Sequence, residues 1–137
     1  MHNSGYCHRD LKPWNIMMSS DLSSVKIIDF GYATPLDPAE LAQSSRFLRG
    51  KLSCTANYMA PELYSSNIKD SLANADVFAL GVILINFLTG EYTFDSVFEG
   101  KTEQVNQRYL AFMESPQEYL GSYGDDRELI DLIKGML

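Results

Sequence analysis

The spacing of apolar residues changes character along the chain. Ile16 to Met18 and Val25 to Ile28 are short apolar runs separated by Ser19-Ser20-Asp21-Leu22-Ser23-Ser24. That pattern predicts two strands joined by a polar turn, a small β-hairpin. From Asp29 to Glu62 no period persists, and Pro35, Pro38, Gly50 and Pro61 punctuate the segment. An aperiodic stretch of that length in a globular chain is usually either a functional loop or disordered. Helical spacing then begins near Asp76, with Val77, Leu80, Leu84 and Phe87 on one side and Phe78, Ile83 and Ile85 filling the others. A helix that is apolar all round belongs in a core, so a central helix is expected at about residues 76–88. Asp76 suits its N-cap and Thr89-Gly90 its C-cap. A second helix is expected over Gln104 to Met113, carrying Val105, Tyr109, Leu110 and Phe112. A third, Asp126 to Leu137, carries Leu129, Ile130, Leu132, Ile133 and Met136 behind an acidic first turn. The expected class is mainly α with a short β-hairpin.

Composition narrows this picture. Hydrophobic residues make up 45% of the 137 and charged residues 21%, which is globular and argues against disorder. The net charge of −7 disfavours nucleic acid as a partner. The apolar run from Val77 to Leu88 is short for a bilayer, so no membrane segment is expected. The first residues lack the basic-then-apolar order of a secretory signal. Cys7 and Cys54 form neither a disulfide framework nor a zinc pattern. A reducing intracellular compartment, the cytoplasm, is therefore expected.

Three motifs carry candidate chemistry. His8-Arg9-Asp10-Leu11-Lys12-Pro13-Trp14-Asn15 is an H-R-D-L-x-x-x-N string. Asp10 and Asn15, five positions apart on a tight loop, can face one bound phosphate and metal. After the expected hairpin comes Asp29-Phe30-Gly31, whose carboxylate is a hard oxygen donor of the kind magnesium prefers. Ala60-Pro61-Glu62 follows, and Asp76 and Gly81 stand in a D-V-F-A-L-G-V string. In this order the motifs resemble the C-terminal lobe of a eukaryotic protein kinase domain of the serine/threonine type. The resemblance covers essentially the whole chain: catalytic loop 8–15, activation segment 29–62 and central helix.

The resemblance implies a role for each matching residue. Asp10 is similar to the catalytic base. Lys12 resembles the lysine that serine/threonine kinases place against the transferred phosphate. Asn15 and Asp29 resemble the two magnesium ligands, so ATP and magnesium are the implied cofactors and protein Ser or Thr hydroxyls the implied substrates. Thr55 is similar to the threonine that bonds both Asp10 and Lys12. His8 and Phe30 match an apolar column that joins the lobes, with Asp76 as its anchor through the catalytic-loop backbone. Glu62 matches a structural glutamate. Arg9 reads either as an ion-pair partner for an activation-segment phosphate or as a surface charge. Lys51 occupies the usual phosphothreonine position, which leaves Ser53, Ser44 and Ser45 as regulatory candidates. The end of the chain is similar to the last helices of the lobe, and the calcium/calmodulin-dependent-like group is the nearest fit.

Departures and absences qualify the expected function. Trp14 stands where many relatives have glutamate, Cys54 where glycine is usual, and Phe78 where tryptophan is common. Trp14 reads as packing against the loop and Cys54 as an unremarkable small residue rather than a redox switch. The chain contains no G-x-G-x-x-G string and no V-A-I-K string. By resemblance those belong to an N-terminal lobe, so the chain reads as a fragment that requires this missing lobe. Two functions from different classes follow. One is magnesium-dependent transfer of the ATP γ-phosphoryl group to protein Ser or Thr. The other is a catalytically inactive lobe acting as an interaction module. A small-molecule kinase is a narrower alternative, but such enzymes lack the long segment ending in Ala-Pro-Glu.

Overall fold

The computed structural model describes residues 1–43, 55–64, 72–90 and 107–137. In chain order they form strands β1 (Tyr6–Cys7), β2 (Ile16–Met18), β3 (Val25–Ile27) and β4 (Thr34–Pro35). Helices α1 (Pro38–Gln43), α2 (Leu72–Thr89), α3 (Gln107–Glu114), α4 (Pro116–Tyr119) and α5 (Arg127–Met136) follow, with short 3₁₀ turns among the elements. The class is mainly helical with two small antiparallel sheets.

The expected hairpin forms. β2 and β3 pair antiparallel in the register Ile16↔Ile27, Met17↔Lys26 and Met18↔Val25. Asp21 organises the turn, accepting from the Ser19 hydroxyl at 2.6 Å, the Ser23 amide at 3.1 Å and the Ser23 hydroxyl at 2.8 Å. Those bonds, the Ser19 hydroxyl foremost, pull its carboxyl down to about 2. The second sheet pairs β1 with β4, Tyr6 opposite Pro35 and Cys7 opposite Thr34. Strands of two residues show no period, which is why this sheet is invisible in the sequence.

The central helix departs from expectation at its start. α2 is helical from Leu72, not from Asp76, because the good helix formers Leu72, Ala73 and Ala75 continue it N-terminally. Asp76 is therefore not an N-cap; it lies a full turn inside the helix and is buried. With 18 residues, α2 is long and apolar enough to match a membrane span by length and composition, unlike the shorter run read from the sequence. In this structure it is the helix around which the core is built. Val82 and Ile85 are fully buried, and Phe78, Ala79 and Ile83 are nearly so. Gly90, at φ 72°, ends it by bonding its amide to the Asn86 carbonyl at 2.9 Å.

α5 packs across α2 at Gly81. A Cβ there would stand 3.0 Å from Leu137 Cδ2 and 3.1 Å from Met136 Cβ, so the glycine permits the close approach. Asp126 caps α5 by accepting from the Leu129 amide at 3.0 Å. Ile133 faces inward with no exposure, but Leu132 is 56% exposed, so it lies off the buried stripe. α3 contributes Phe112, fully buried and edge-on to Tyr119 with ring centroids 5.9 Å apart. Val105 and Gln104, expected in that helix, lie outside the described residues.

Phe112→Ala should lower unfolding stability by about 3–4 kcal/mol, because it empties a closed site and removes an aromatic contact. Leu132→Ala should change it by less than about 0.5 kcal/mol. Urea denaturation of both variants checks the contrast; equal losses would mean the α5 stripe is misassigned.

Candidate active site

The His8–Asn15 loop is closed by its own side chains. Asn15 Nδ2 donates to the Asp10 carbonyl at 2.8 Å, and its amide N–H donates to the Lys12 carbonyl at 2.9 Å. Pro13 starts the short turn Pro13–Asn15, where its lost N–H costs nothing. The loop is anchored below by α2. Asp76 Oδ1 accepts from the Arg9 amide at 2.8 Å, and Asp76 Oδ2 accepts from the His8 amide at 2.7 Å. This clamp holds Arg9 at φ 67°, a left-handed conformation that a side-chain-bearing residue adopts only under constraint.

The clamp aims the Asp10 carboxylate at a set of donors. Oδ1 accepts from the Thr55 amide at 3.1 Å and the Thr55 hydroxyl at 2.9 Å. Oδ2 accepts from Lys12 Nζ at 2.7 Å and Asn15 Nδ2 at 3.3 Å. Lys12 Nζ also donates to the Thr55 hydroxyl oxygen at 3.1 Å. Burial opposes the charge on Asp10, but the Lys12 and Thr55 hydrogen bonds together outweigh it and hold the carboxyl below its ordinary range. The sequence-predicted Asp10, Lys12, Asn15 and Thr55 thus lie in one network.

His8 connects this network to Asp29. Its Nδ1 accepts from the Asp10 amide at 3.3 Å, which leaves Nε2 to carry the proton and donate to the Ile28 carbonyl at 3.0 Å. The Ile28 amide donates to the Asn15 carbonyl at 2.9 Å. Asn15 and Asp29 are therefore tied through adjacent backbone. Asp29 is exposed, sits at φ 61°, and accepts from the Gly31 amide at 3.1 Å. A Cβ on Gly31 would stand 2.8 Å from Asp29 Oδ1, so a side chain there would push the carboxylate aside. Phe30 stacks at a tilt on His8, centroids 5.3 Å apart, and is 53% exposed.

Asn15 and Asp29 each offer an oxygen of the kind that could hold a magnesium ion. Asn15 spends its Nδ2 on Asp10, which leaves its carbonyl oxygen as the atom able to bind a cation. Asp29 adds an exposed carboxylate. No group of three His, Cys, Asp or Glu side chains among the described residues makes a closed metal cage. One or two oxygen ligands completed by substrate phosphates are what magnesium commonly takes in nucleotide sites.

Other expected residues fall differently. Arg9 is 7% exposed and its NH1 donates to the Thr34 hydroxyl at 2.9 Å, so it is not a surface charge. Trp14 is 61% exposed. Ser53 and Cys54 lie outside the described residues, as does the side chain of Glu62, whose backbone is in the turn Pro61–Tyr64. Thr34, as the acceptor for Arg9, and the Ile28 carbonyl were not legible in the sequence, because neither stands in a motif.

Comparison with known proteins agrees with this geometry. The family model for the protein kinase domain matches residues 1–137. The chain is 35% identical to the probable serine/threonine-protein kinase PknB of Lactococcus lactis over 69% of its length, covering 14% of that protein. It is 33% identical to the serine/threonine-protein kinase PKH1 of Saccharomyces cerevisiae over its full length, covering 17% of that protein. It is 39% identical to the striated muscle preferentially expressed protein kinase of Danio rerio over 69% of its length, covering 3% of that protein. The chain thus spans a small part of each relative, and by motif order, site geometry and family match it belongs to the protein kinase domain family.

Proposed function

We propose that the chain is the catalytic-loop half, the C-terminal lobe, of a serine/threonine protein kinase that transfers the ATP γ-phosphoryl group to protein hydroxyls. The observation that carries this is the Asp10 carboxylate, buried and shared among Lys12, Thr55 and Asn15. Magnesium-bound ATP would supply the electrophilic phosphorus and neutralise developing charge. Asp10 takes the proton of the incoming hydroxyl. Lys12, already at the carboxylate and 22% exposed, can reach a transferring phosphoryl oxygen while Thr55 fixes its place. Asn15 and Asp29 would hold the cation, tied to one another by the bond from the Ile28 amide to the Asn15 carbonyl.

Regulation by a phosphate on Ser53 received by Arg9 belongs to the same proposal. It is supported by Arg9 Nε, which is buried and has no hydrogen-bond partner among the described residues. Cys7 is a buried free thiol pushed up to about 11, by burial first and then by Asp76. A second reading, a binding lobe without turnover of its own, is favoured by the exposed apolar side chains Met18, Val25 and Ile27 on one face of the hairpin, with Met17 and Phe30 exposed as well.

Four outcomes are expected. In an active kinase domain carrying this chain, Asp29→Ala should lower phosphoryl transfer at least about a hundredfold, and further than Asn15→Ala. The 137-residue chain alone, which contains no Gly-rich phosphate loop, should show none; robust turnover abolished by Asp10→Ala would remove the second reading.

Thr55→Val should raise the Asp10 carboxyl toward its ordinary value, read by carbon NMR titration of the side chain. Because folding lowers this group, ionised Asp10 stabilises the fold above the ordinary aspartate value, and that stability is lost as pH falls through its folded value. The variant should therefore lose less stability on acidification than the parent. An unchanged titration would exclude Thr55 from the network.

Trp14 and Asn86 stand where relatives that select arginine two residues before the target hydroxyl carry acids. A peptide library should show little arginine preference there, since a carboxylate–guanidinium pair worth about 1.5–3 kcal/mol is missing. A strong preference that persists in high salt would contradict this.

A further inference from the structure

Thr34 is fully buried, and its hydroxyl is used twice. Arg9 Nη1 donates to Thr34 Oγ1 at 2.9 Å, and Thr34 Oγ1 donates to the Tyr32 carbonyl at 2.9 Å. A hydroxyl carries one proton, so the oxygen that donates to Tyr32 is left as the acceptor for the guanidinium. Each of the two bonds polarises the other. Strand pairing sets the place. Thr34 stands opposite Cys7, whose thiol donates to the Thr34 carbonyl at 3.3 Å, and the Leu36 amide donates to the Gly5 carbonyl at 2.8 Å. Arg9 follows Cys7 by two residues, which brings its side chain to β4.

The guanidinium needs such an acceptor. Arg9 is buried, no carboxylate among the described residues pairs with it, and its Nε has no hydrogen-bond partner among them. An arginine does not shed its charge on burial, so acceptors have to meet it.

We propose that Thr34 is a positioning residue whose hydroxyl keeps Arg9, and with it Asp10, in place while the activation segment carries no phosphate. Thr34 occupies Nη1 and leaves Nε open, so a phosphate arriving on the segment adds to this bond rather than replacing it. Without the hydroxyl, the left-handed turn at Arg9 keeps only its backbone clamp, and Asp10 is the next residue. The same hydroxyl fastens the end of the Phe30–Tyr32 turn that follows Asp29. The effect on phosphoryl transfer rests on the proposed function; the bond between Thr34 and Arg9 does not.

Side-chain NMR of the 137-residue chain tests the bond. In the parent, the Arg9 Nη1 protons should give resolved signals, because a held guanidinium turns slowly about its Cζ–Nη1 bond. Signals averaged as in free arginine would overturn the proposal without any variant. Thr34→Val keeps the branched shape in β4 and removes the acceptor, so it should average those signals. Thr34→Ser, which retains the hydroxyl, should restore them. In an active kinase domain carrying this chain and stripped of phosphate by a phosphatase, the parent should still transfer phosphoryl groups. There Thr34→Val should lower kcat about tenfold at unchanged KM, and Thr34→Ser should recover it. No transfer by the stripped parent, a parent-like kcat in Thr34→Val, or no recovery in Thr34→Ser would each overturn the proposal. Asp10→Asn leaving transfer intact would instead remove the proposed function and leave the Thr34–Arg9 bond standing.

Discussion

A buried carboxylate that accepts two consecutive backbone amides sets the site. Asp76 stands on the core helix, and its oxygens take the His8 and Arg9 amides at 2.7 and 2.8 Å. Leaving buried donors of this kind unpaired would cost about 1–3 kcal/mol each, so the loop and the helix are bound as one unit. Everything further out inherits that geometry. Arg9 is turned left-handed, Asp10 is aimed at Lys12 and Thr55, and His8 is oriented so that its two nitrogens bridge Asp10 to Ile28.

Strain is concentrated where the chemistry is expected. Of the described non-glycine residues, Arg9, Leu22 and Asp29 have positive φ, and two of these flank or form the candidate site. Such conformations cost roughly 1–3 kcal/mol and persist where the surroundings over-determine them. For Arg9 the surroundings are Asp76 below and Thr34 at the guanidinium. For Asp29 they are the Ile28–Asn15 and His8–Ile28 bonds on one side and the Gly31 amide on the other.

The electrostatics of Asp10 show why such a site needs both burial and donors. Burial alone would favour the protonated acid. The ammonium of Lys12 and the two donors of Thr55 reverse that balance and keep the carboxylate ionised within a nearly closed environment. Lys12 is shared between Asp10 and Thr55. A phosphoryl group arriving there would meet a cation already held in place rather than one that must be ordered first.

Much of this was legible in the sequence. Motif order placed Asp10, Lys12, Asn15, Asp29 and Asp76, because residues close in sequence or in a fixed string carry their chemistry locally. Periodicity located the hairpin, α2 and α5, since a repeated apolar spacing survives in one dimension. It failed where the element was too short to have a period, as in β1 and β4, and at the start of α2, where good helix formers continue past the acid that looked like a cap. Tertiary structure alone decided the rest. That Thr55, distant in sequence, shares the Asp10 carboxylate as family resemblance implied is realised only by chain crossing. That Arg9 is buried on Thr34, that Trp14 faces solvent, and that His2 reaches Asp76 depend on contacts between segments far apart in the chain. A sequence records which side chains are present, but hydrogen bonds act over about 3 Å, and only the fold determines which groups come that close.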